Sequence, residues 1–568
     1  MSTTNGFISS DTNLANDIDG GHDASNWVPV LENPLFTPRK LRVVCIGAGY
    51  SGLMLAHKIK WEQKLDDFLD LTIYEKNHDV GGTWLENVYP GVACDVPAHI
   101  YTFPFEPNPN WSKFYVGGAE ILQYMKRTVD KYNLDEKVQL RSKVLEAIWD
   151  EGLAKWKIKV ESTNGIIEDE ADILINGSGI LNKWQWPKIK GLFDFKGKLL
   201  HSAKWDPTYD CAGKRIAVIG NGSSAIQIVP TLQPIASHLV NYFRSPTWIS
   251  VNYCEGFTPE GTNFDYTEEQ KRRFVTHPEE LFEMRKKMEA VTNGFFHGMY
   301  KDSPQQKALQ DTSMKRMLKS LNNDAELAAK FIPDWQIGCR RLTPGDGYIP
   351  ALLSSNASYN FNPIIKITEK GILTEDGEEE FDLIITATGF DVSFVPSFKL
   401  IGRDGKHQED DWKHDPQAYL SVCAPHMPNY FIFNGPNCPI AHGSLLTIMS
   451  WTTDYILKWA QKIAQEDIRS VVPTGCAVND YNLYSQEFLK RMVWTSGCRS
   501  WYKNGKTEGK PTAMYAGSGL HYKALLDNIR GEDFEIRYNS ANSFRFMGNG
   551  LVERETKAEE DLAFYMSV

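Results

Sequence analysis

The sequence predicts an α/β fold with two Rossmann-like dinucleotide-binding domains and a helical insertion in the second. Residues 41–56 read LRVVCIGAGYSGLMLA, which is a β-rich apolar run, a glycine turn and a helical apolar pattern. Residues 215–229, RIAVIGNGSSAIQIV, repeat that order. Two later apolar strands end in small residues, DILINGSG at 172–179 and DLIITATG at 382–389. Each of them is expected to close one of the two strand–turn–helix units.

These segments divide the chain into four predicted parts. Residues 1–40 form an N-terminal arm, and its first 26 residues lack the basic start and apolar core of a signal peptide. Residues 41–208 form the first part of the first domain, and residues 209–380 form the second domain. Residues 381–568 return to the first domain and add C-terminal loops for substrate and cofactor. The insertion is expected at about 265–330, where Lys, Glu, Leu and Met recur at helical spacing.

Composition excludes several classes of protein. The chain has 568 residues, of which 61 are basic and 72 acidic, so its net charge is −11. This acidic balance argues against nucleic-acid binding. Nine scattered cysteines without a C-x-x-C pair argue against zinc ribbons, disulfide-rich scaffolds and dithiol flavoenzymes, and they predict a reduced protein. No apolar stretch is long enough to span a membrane, so a soluble cytoplasmic protein without a metal site is expected.

The first glycine turn predicts a nucleotide site. Gly47-Ala48-Gly49-Tyr50-Ser51-Gly52 fits G-x-G-x-x-G, in which Gly47 permits the turn, Gly49 admits a pyrophosphate and Gly52 lets the helix pack closely. The next strand, LTIYEK, ends at Glu75, whose carboxylate would accept the hydroxyls of a ribose. The alternative is a structural turn beside a surface glutamate.

The second glycine turn predicts a second nucleotide. Here Gly220 and Gly222 stand in G-x-G-x-x-A, with Ser223 and Ser224 at the start of the helix. The following strand, HLVNYF, ends at Arg244 and lacks an acidic residue, which favours NADP over NAD because a guanidinium pairs with the 2′-phosphate. The alternative for Arg244 is a solvated strand-end charge. Two sites imply FAD in the first domain and NADPH in the second, hence a flavin-dependent oxidoreductase.

Two longer patterns carry a family resemblance. Residues 195–206, FKGKLLHSAKWD, fit F-x-G-x-x-x-H-x-x-x-W-[P/D], and residues 81–95, GGTWLENVYPGVACD, fit G-G-x-W followed by an aromatic-P-G and an aspartate. With both glycine turns in order, the chain resembles type I Baeyer–Villiger monooxygenases, which are FAD- and NADPH-dependent class B flavoprotein monooxygenases. The resemblance covers roughly residues 40–540, and in style the chain is similar to fungal members.

The resemblance implies a reaction and the residues that support it. In the family, NADPH reduces FAD, the reduced flavin traps O₂ as a C4a-peroxide, and the peroxide converts a ketone into an ester or lactone. Arg341 matches the family's catalytic arginine, and Asp95 matches the carboxylate that holds it. Arg340 replaces the family's lysine at the 2′-phosphate of NADP. The alternatives are a surface loop for Arg341 and a helix cap for Asp95.

Further residues follow from the same resemblance. The flavin is expected to contact Gly82, Thr83, Trp84, Asp95 and Tyr101, and its ring the segments 434–437 and 442–449. Trp501 would lie near the nicotinamide ribose. The signature residues Phe195, Gly197, His201 and Trp205 are expected to have a gating role only. The substrates would be O₂ and a bulky cyclic ketone, because the expected pocket is aromatic (Phe295, Phe296, Trp494, Trp501 and Tyr502).

Two other functions remain open at this point. A flavin monooxygenase that oxidises nitrogen or sulfur would share both glycine turns, and its product distinguishes it from an ester-forming enzyme. A non-catalytic nucleotide-binding redox module is a more remote alternative, which NADPH-dependent oxygen consumption with a ketone would exclude. The sequence leaves the oligomeric state undetermined.

Overall fold

The computed structural model describes residues 24–441 and 443–566. Most of the predicted N-terminal arm, residues 1–23, and His442 of the predicted flavin-ring segment therefore lie outside the described residues. The chain separates into two compact units. The larger comprises Lys40–Ala460 and Val471–Glu535, and the smaller comprises the described residues up to Arg39, Gln461–Ser470 and the residues from Ile536 onward.

The described chain folds into the following strands and helices. The strands are β1 (Leu41–Ile46), β2 (Leu69–Tyr74), β3 (Val138–Gln139), β4 (Lys143–Asp150), β5 (Lys155–Ser162), β6 (Gly165–Ala171), β7 (Ile173–Asn176), β8 (Lys198–His201), β9 (Arg215–Ile219), β10 (His238–Tyr242), β11 (Ile249–Ser250), β12 (Thr343–Pro344), β13 (Ala357–Asn360), β14 (Lys366–Ile367), β15 (Gly371–Thr374), β16 (Gly377–Glu380), β17 (Leu383–Thr386), β18 (Lys399–Ile401), β19 (Tyr430–Ile432), β20 (Ile468–Pro473) and β21 (Phe534–Tyr538). The helices are α1 (Tyr50–His57), α2 (Thr83–Glu86), α3 (Gly118–Tyr132), α4 (Ser223–Leu232), α5 (Glu268–Thr276), α6 (Pro278–Gly294), α7 (Pro304–Ser320), α8 (Ala325–Phe331), α9 (Tyr348–Leu352), α10 (Gln408–Trp412), α11 (Leu445–Gln465), α12 (Gly475–Leu489) and α13 (Gly519–Leu526).

The first sheet is parallel and contains the first glycine turn. Its strand order is β19–β7–β1–β2–β3, so that a strand from the C-terminal part of the chain completes it. The last residue of β1, Ile46, pairs with Tyr74 on one side and Asn176 on the other. Parallel strands in register bring their carboxyl ends to one edge, where Gly47 and Glu75 follow.

The second sheet repeats this arrangement in the order β13–β10–β9–β17–β8, again with all strands parallel. Ile219 ends β9 and pairs with Tyr242 and Thr386, and Thr386 in turn pairs with His201. Strands β8 and β17 belong to this sheet although they lie just outside the predicted range of 209–380. The expected α/β fold with two parallel Rossmann-like sheets is confirmed.

An anchoring contact of the closing segments is duplicated as well. The carboxylate of Asp172 accepts a hydrogen bond from the backbone N–H of Arg42 at 2.8 Å, and Asp382 accepts one from Arg215 at 2.8 Å. In both units an aspartate before the closing strand therefore fastens that strand to the start of the central one, at the second residue of β1 and the first residue of β9. This shared contact supports the interpretation that the two units are repeats.

Other elements surround the two parallel sheets. Strands β4, β5 and β6 form an antiparallel meander with β18 at its edge, and β14, β15 and β16 form a smaller antiparallel sheet. Helices α5 to α8 lie where the sequence predicts the helical insertion. Within the described ranges, none of the helices combines the length and the apolar character that a membrane crossing requires.

The smaller unit joins segments from both ends of the described chain. The backbone N–H of Leu35 donates to the carbonyl of Leu551 at 2.7 Å, and the rings of Phe36 and Phe546 stack at 5.5 Å. The backbone N–H of Asn549 donates to the carbonyl of Asn33 at 2.9 Å. These contacts hold the described end of the predicted arm against the C-terminal segment.

Candidate active site

The first glycine turn has the close approaches that its pattern predicts. Gly47 has a φ of 105°, and a β-carbon there would lie 2.7 Å from the carbonyl oxygen of Gly177, just after β7. A β-carbon at Gly52 would lie 2.2 Å from the carbonyl oxygen of Gly47. Any side chain at these two positions would push helix α1 or strand β7 away from the turn, so only glycine fits.

Glu75 lies buried at the end of β2 and supports this turn directly. One carboxylate oxygen accepts the backbone N–H of Ala48 at 2.8 Å, and the other accepts that of Asn77 at 2.8 Å. An ionised carboxylate has about four acceptor positions, so each oxygen retains capacity for a ribose hydroxyl. The predicted role is thus compatible with the geometry, and the structure adds a role in holding the glycine turn.

The second glycine turn is built in the same way. Gly220 has a φ of 117°, and a β-carbon there would lie 2.4 Å from the carbonyl oxygen of Ala387, just after β17. Gly222 begins helix α4 from an extended conformation, as Gly49 begins α1. Ser223 lies at the first position of α4, and its hydroxyl is 3.0 Å from that of Thr343. Ser224 follows it and lies beside the Tyr89 hydroxyl.

Residues 81–95 connect the two turns. A β-carbon at Gly82 would lie 3.0 Å from the Cα of Gly49, so this end packs on the first turn. At the other end, the Tyr89 hydroxyl donates to the side chain of Gln227 in α4 at 2.8 Å, and Gln227 donates to the carbonyl of Ala93 at 3.0 Å. The signature thus lies between the two nucleotide-type turns and presents Asp95 there.

Asp95 and Arg341 form a bidentate ion pair although they are 246 residues apart. The guanidinium Nε donates to Oδ2 at 3.0 Å, and Nη2 donates to Oδ1 at 2.6 Å. The Asp95 charge raises the pKa of Arg341 well above its usual value, so the guanidinium stays charged. The structure therefore brings together the two residues that the resemblance implies for catalysis.

Two tyrosines lie close enough to this pair to sense its charge. Burial raises the pKa of both Tyr253 and Tyr502, and the positive charge of Arg341 partly opposes that increase. The ring of Tyr253 contacts Phe295 at 5.9 Å, and the ring of Tyr502 contacts Trp501 at 4.7 Å. The aromatic surroundings expected from the sequence therefore adjoin Arg341, although Phe296 and Trp494 are themselves buried in the hydrophobic core.

Arg340 has different neighbours from Arg341. Its guanidinium lies over the ring of Trp335 at 5.2 Å, and its buried Nε has no hydrogen-bond partner in the described part of the chain. Burial, together with the positive charge of Arg499, lowers the pKa of Arg340. Arg244 lies exposed after β10, next to Ser245, whose carbonyl accepts a hydrogen bond from Asn221 of the second turn at 2.7 Å. Both arginines remain predicted NADP-binding residues.

The fingerprint at 195–206 forms a packed segment. His201 is fully buried, its Nδ1 accepts the backbone N–H of Ala203 at 3.1 Å, and its ring stacks on Trp184 at 4.7 Å. Burial lowers the pKa of His201 to about 4, so the ring is neutral at physiological pH. A β-carbon at Gly197 would lie 2.5 Å from the ring of Phe195, and Trp205 is also buried. The gating role of these residues remains a prediction.

Several features of the two sheet edges fit bound dinucleotides. A β-carbon at Gly179, Gly222 or Gly389 would meet no atom within 4 Å, so the backbone at both edges faces open space. The Tyr50 hydroxyl and the buried side-chain oxygen of Asn437 have no hydrogen-bond partner among the described residues, so each can bind a polar ligand. Of the other predicted flavin contacts, Thr83 begins α2, and the ring of Trp84 meets that of Tyr101 at 5.6 Å.

One expectation from the cysteines is wrong. Cys339 and Cys498 form a disulfide bond, whereas the scattered cysteines were expected to be reduced. The other seven cysteines are free, and of these only Cys476 is exposed. Sequence spacing gives no signal for a pair 159 residues apart, and Arg499 and Lys503, which follow Cys498, escaped prediction for the same reason.

Comparisons with known proteins agree with this architecture. A family model described as flavin-binding monooxygenase-like matches residues 40–323. The FAD-binding monooxygenase tazF of Aspergillus terreus is 54% identical, with 95% of this chain and 97% of that protein covered. A Baeyer–Villiger monooxygenase of Pseudomonas aeruginosa is 34% identical, with 88% and 92% covered. The NADP⁺-bound crystal structure of cyclohexanone monooxygenase from Rhodococcus sp. Phi1 is similar in fold (TM-score 0.75, 24% identity, covering 88% of this chain and 100% of that one).

Proposed function

Because the chain belongs to the flavin-binding monooxygenase-like family, we propose that it is a Baeyer–Villiger monooxygenase that uses FAD and NADPH. It would insert one atom of O₂ next to the carbonyl of a ketone, so that ketone, O₂, NADPH and a proton give an ester or lactone, NADP⁺ and water. The FAD, when bound and reduced by NADPH, supplies the activation of O₂. The protein's own residues must bind the cofactors and the ketone, stabilise the developing charge and limit access of water.

The Asp95–Arg341 ion pair carries this proposal. Asp95 engages Nε and Nη2 of the guanidinium, and no hydrogen bond of Arg341 within the described residues involves Nη1. Nη1 can therefore donate to the carbonyl oxygen of a ketone, on which negative charge develops during attack. Since the pKa of Arg341 is raised, this cation stabilises the charge without losing its proton.

Asp95 also fixes the direction of the guanidinium. A bidentate contact orients the planar fork, which a single contact to a lysine ammonium would leave free to rotate. The side chains of Asp95 and Arg341 are 18% and 32% exposed, so the pair is partly shielded from water, yet a small molecule can reach it. This combination suits a site where charge must be stabilised in a cavity with little water.

The residues around the pair support FAD and NADPH at the two glycine turns. Glu75, Gly49 and Gly82 would hold the adenosine and pyrophosphate of FAD at the first turn, and Ser223 and Arg244 the phosphates of NADPH at the second. The neighbouring rings of Tyr253, Phe295 and Trp501 support a bulky cyclic ketone as the substrate. A cytoplasmic location stays a prediction of the sequence.

Product analysis of the purified enzyme tests this function. With NADPH, ¹⁸O₂ and a panel of cyclic ketones, we expect a lactone that carries one ¹⁸O atom. Arg341→Ala should lower the rate of lactone formation by about 10²- to 10³-fold, as loss of a charge-stabilising donor does, while FAD remains bound. Arg215→Ala is a matched control, because Arg215 forms an exposed ion pair with Glu379 at the start of β9. Sulfoxide or N-oxide as the only product, or a normal lactone yield from Arg341→Ala, would refute the proposal.

A further inference from the structure

The single disulfide of the described chain lies beside the proposed catalytic arginine. Cys339 directly precedes Arg340 and Arg341, and its partner Cys498 belongs to the segment 496–507, which we call the C-terminal loop. Both cysteines are buried, and their Cα atoms are 6.2 Å apart. The covalent bond therefore ties the arginine segment to a loop that is far away in the sequence.

Side chains of the C-terminal loop lie near both arginines. Arg499 lies close enough to Arg340 for its charge to lower the Arg340 pKa, and Tyr502 lies close to Arg341. Apart from the disulfide, the hydroxyl of Ser496 donates to the side chain of Gln336 at 2.9 Å. The ring of Tyr502 packs in the hydrophobic core, so the disulfide acts mainly on the first residues of the loop, where it is the covalent link to the arginine segment.

A buried ammonium group accompanies the disulfide. Lys503 is 1% exposed, and its Nζ donates to the carbonyl oxygens of Ser496 at 2.5 Å and Thr507 at 2.6 Å. The same Nζ lies 3.9 Å from the Cys339 sulfur. An adjacent cation stabilises a thiolate, so a sulfur leaving from Cys339 during thiol–disulfide exchange would be stabilised by Lys503.

The other cysteines of the described chain do not form disulfide bonds, unlike Cys339 and Cys498. Seven are free, and six of these are buried, so the described chain does not use disulfides as a general stabilising device. In the cytosol, the location expected from the sequence, a disulfide is usually catalytic or redox-sensing. The placement of this one, next to the arginine pair and a buried cation, points to a control function.

We propose that the Cys339–Cys498 disulfide is a redox-controlled strap that holds the C-terminal loop over the Arg340–Arg341 segment. A dithiol reductant would transfer two electrons and two protons: the Cys339–Cys498 bond breaks, two thiols form, and the reductant becomes a disulfide. Released from the bond, the exposed Arg499, which directly follows Cys498, would no longer be fixed beside Arg340. The oxidised enzyme then binds NADP(H) more tightly than the reduced enzyme. The effect on NADP(H) affinity rests on the proposed function, in which Arg340 binds NADPH, whereas the release of the loop does not.

The first experiment establishes the bond and the release of the loop without any ketone. The protein is alkylated as isolated and digested, and mass spectrometry should identify a peptide pair linked through Cys339 and Cys498. Hydrogen–deuterium exchange of the peptide covering 496–507 should increase when dithiothreitol reduces the holoenzyme. Absence of the linked peptides, or unchanged exchange after complete reduction, would overturn the proposal.

The second experiment measures the consequence for the cofactor. We expect reduction to raise the Kd for NADP⁺ about tenfold, within the usual range of coupling between two states. Cys339→Ser with Cys498→Ser should show the weak affinity with or without reductant, while Cys476→Ser, which removes the exposed free thiol, should respond like the wild type. If the double variant does not fold, the Kd for NADP⁺ of the oxidised and the reduced wild type still tests the proposal. An unchanged Kd refutes the strap, whereas a changed Kd with no lactone formed by the oxidised wild type would refute only the proposed function.

Discussion

Replacing Gly52 by alanine should disrupt the first glycine turn. A β-carbon at this position lies 2.2 Å from the carbonyl oxygen of Gly47, which is a backbone atom and cannot swing aside as a flexible side chain could. Since such contacts are not tolerated below about 3 Å, helix α1 must move away from the turn by about 0.8 Å. Forced overpacking of this kind destabilises by about 1–3 kcal/mol, and the same movement displaces the helix N-terminus on which the pyrophosphate of FAD is expected to lie.

The measurements are the thermal midpoint and the flavin content of the purified protein. With an unfolding entropy of about 2.1 cal/mol/K per residue, a chain of 568 residues loses about 1 °C of Tm per kcal/mol. We therefore expect Tm to fall by about 1–3 °C and less than one flavin to remain per chain. Gly222→Ala is the control for stability, because a β-carbon there meets no atom within 4 Å and the backbone is extended. If Gly52→Ala keeps the Tm and flavin content of the wild type, or Gly222→Ala is equally destabilising, the steric reasoning is wrong.

Two further predictions concern cofactor choice and pH. Arg244→Ala should raise the KM for NADPH at least about tenfold and leave that for NADH nearly unchanged, because only NADPH carries the 2′-phosphate; equal effects on both would contradict the assignment. Burial and the nearby charge of Arg285 lower the pKa of His99 to about 3. Below about pH 6.5 the unfolded chain therefore binds a proton at His99 that the native state does not bind. As the pH decreases, this residue should lower the free energy of unfolding by about 1.4 kcal/mol per pH unit. In His99→Leu, the unfolding free energy measured in urea should depend on pH less steeply between pH 6 and 4, by about that amount. An unchanged pH dependence would contradict the reasoning.

The parts of the fold that the sequence predicted are those set by local pattern. Gly47 and Gly220 mark turns because positive φ values favour glycine, and the apolar runs around them have the period of buried strands and helices. The segment that contains β17 was expected to close the second unit, whereas no local pattern assigns β8, which precedes the second glycine turn, to that sheet. Parallel strands are connected by long crossovers, so their neighbours depend on the whole topology rather than on adjacent residues.

Contacts between distant segments were either predicted through the family resemblance or not predicted at all. Asp95 and Arg341 could be paired only because each stands in a recognisable signature, since nothing local in either segment indicates the other. Cys339 and Cys498 stand in no such pattern, and a sparse set of cysteines is normally reduced. Whether two thiols can bond depends on the distance between their Cα atoms, which is a property of the folded chain.

The two adjacent arginines differ in their electrostatic surroundings, since one has a carboxylate partner and the other has none. This difference supports separate roles for them. The charge of Arg341 is balanced by Asp95 within the protein, so this residue needs no further anion for its stability. In the proposed function, it stabilises charge that develops only during the reaction. Arg340 has no carboxylate partner among the described residues and is instead placed beside Trp335 and a second cation, Arg499. The positive charge of the exposed Arg499 acts on the buried Arg340, and a doubly charged phosphate between them would relieve that repulsion. The local charge thus favours Arg340 and Arg499 for a phosphate of NADPH and Arg341 for the oxygen chemistry, although the chain as a whole is acidic.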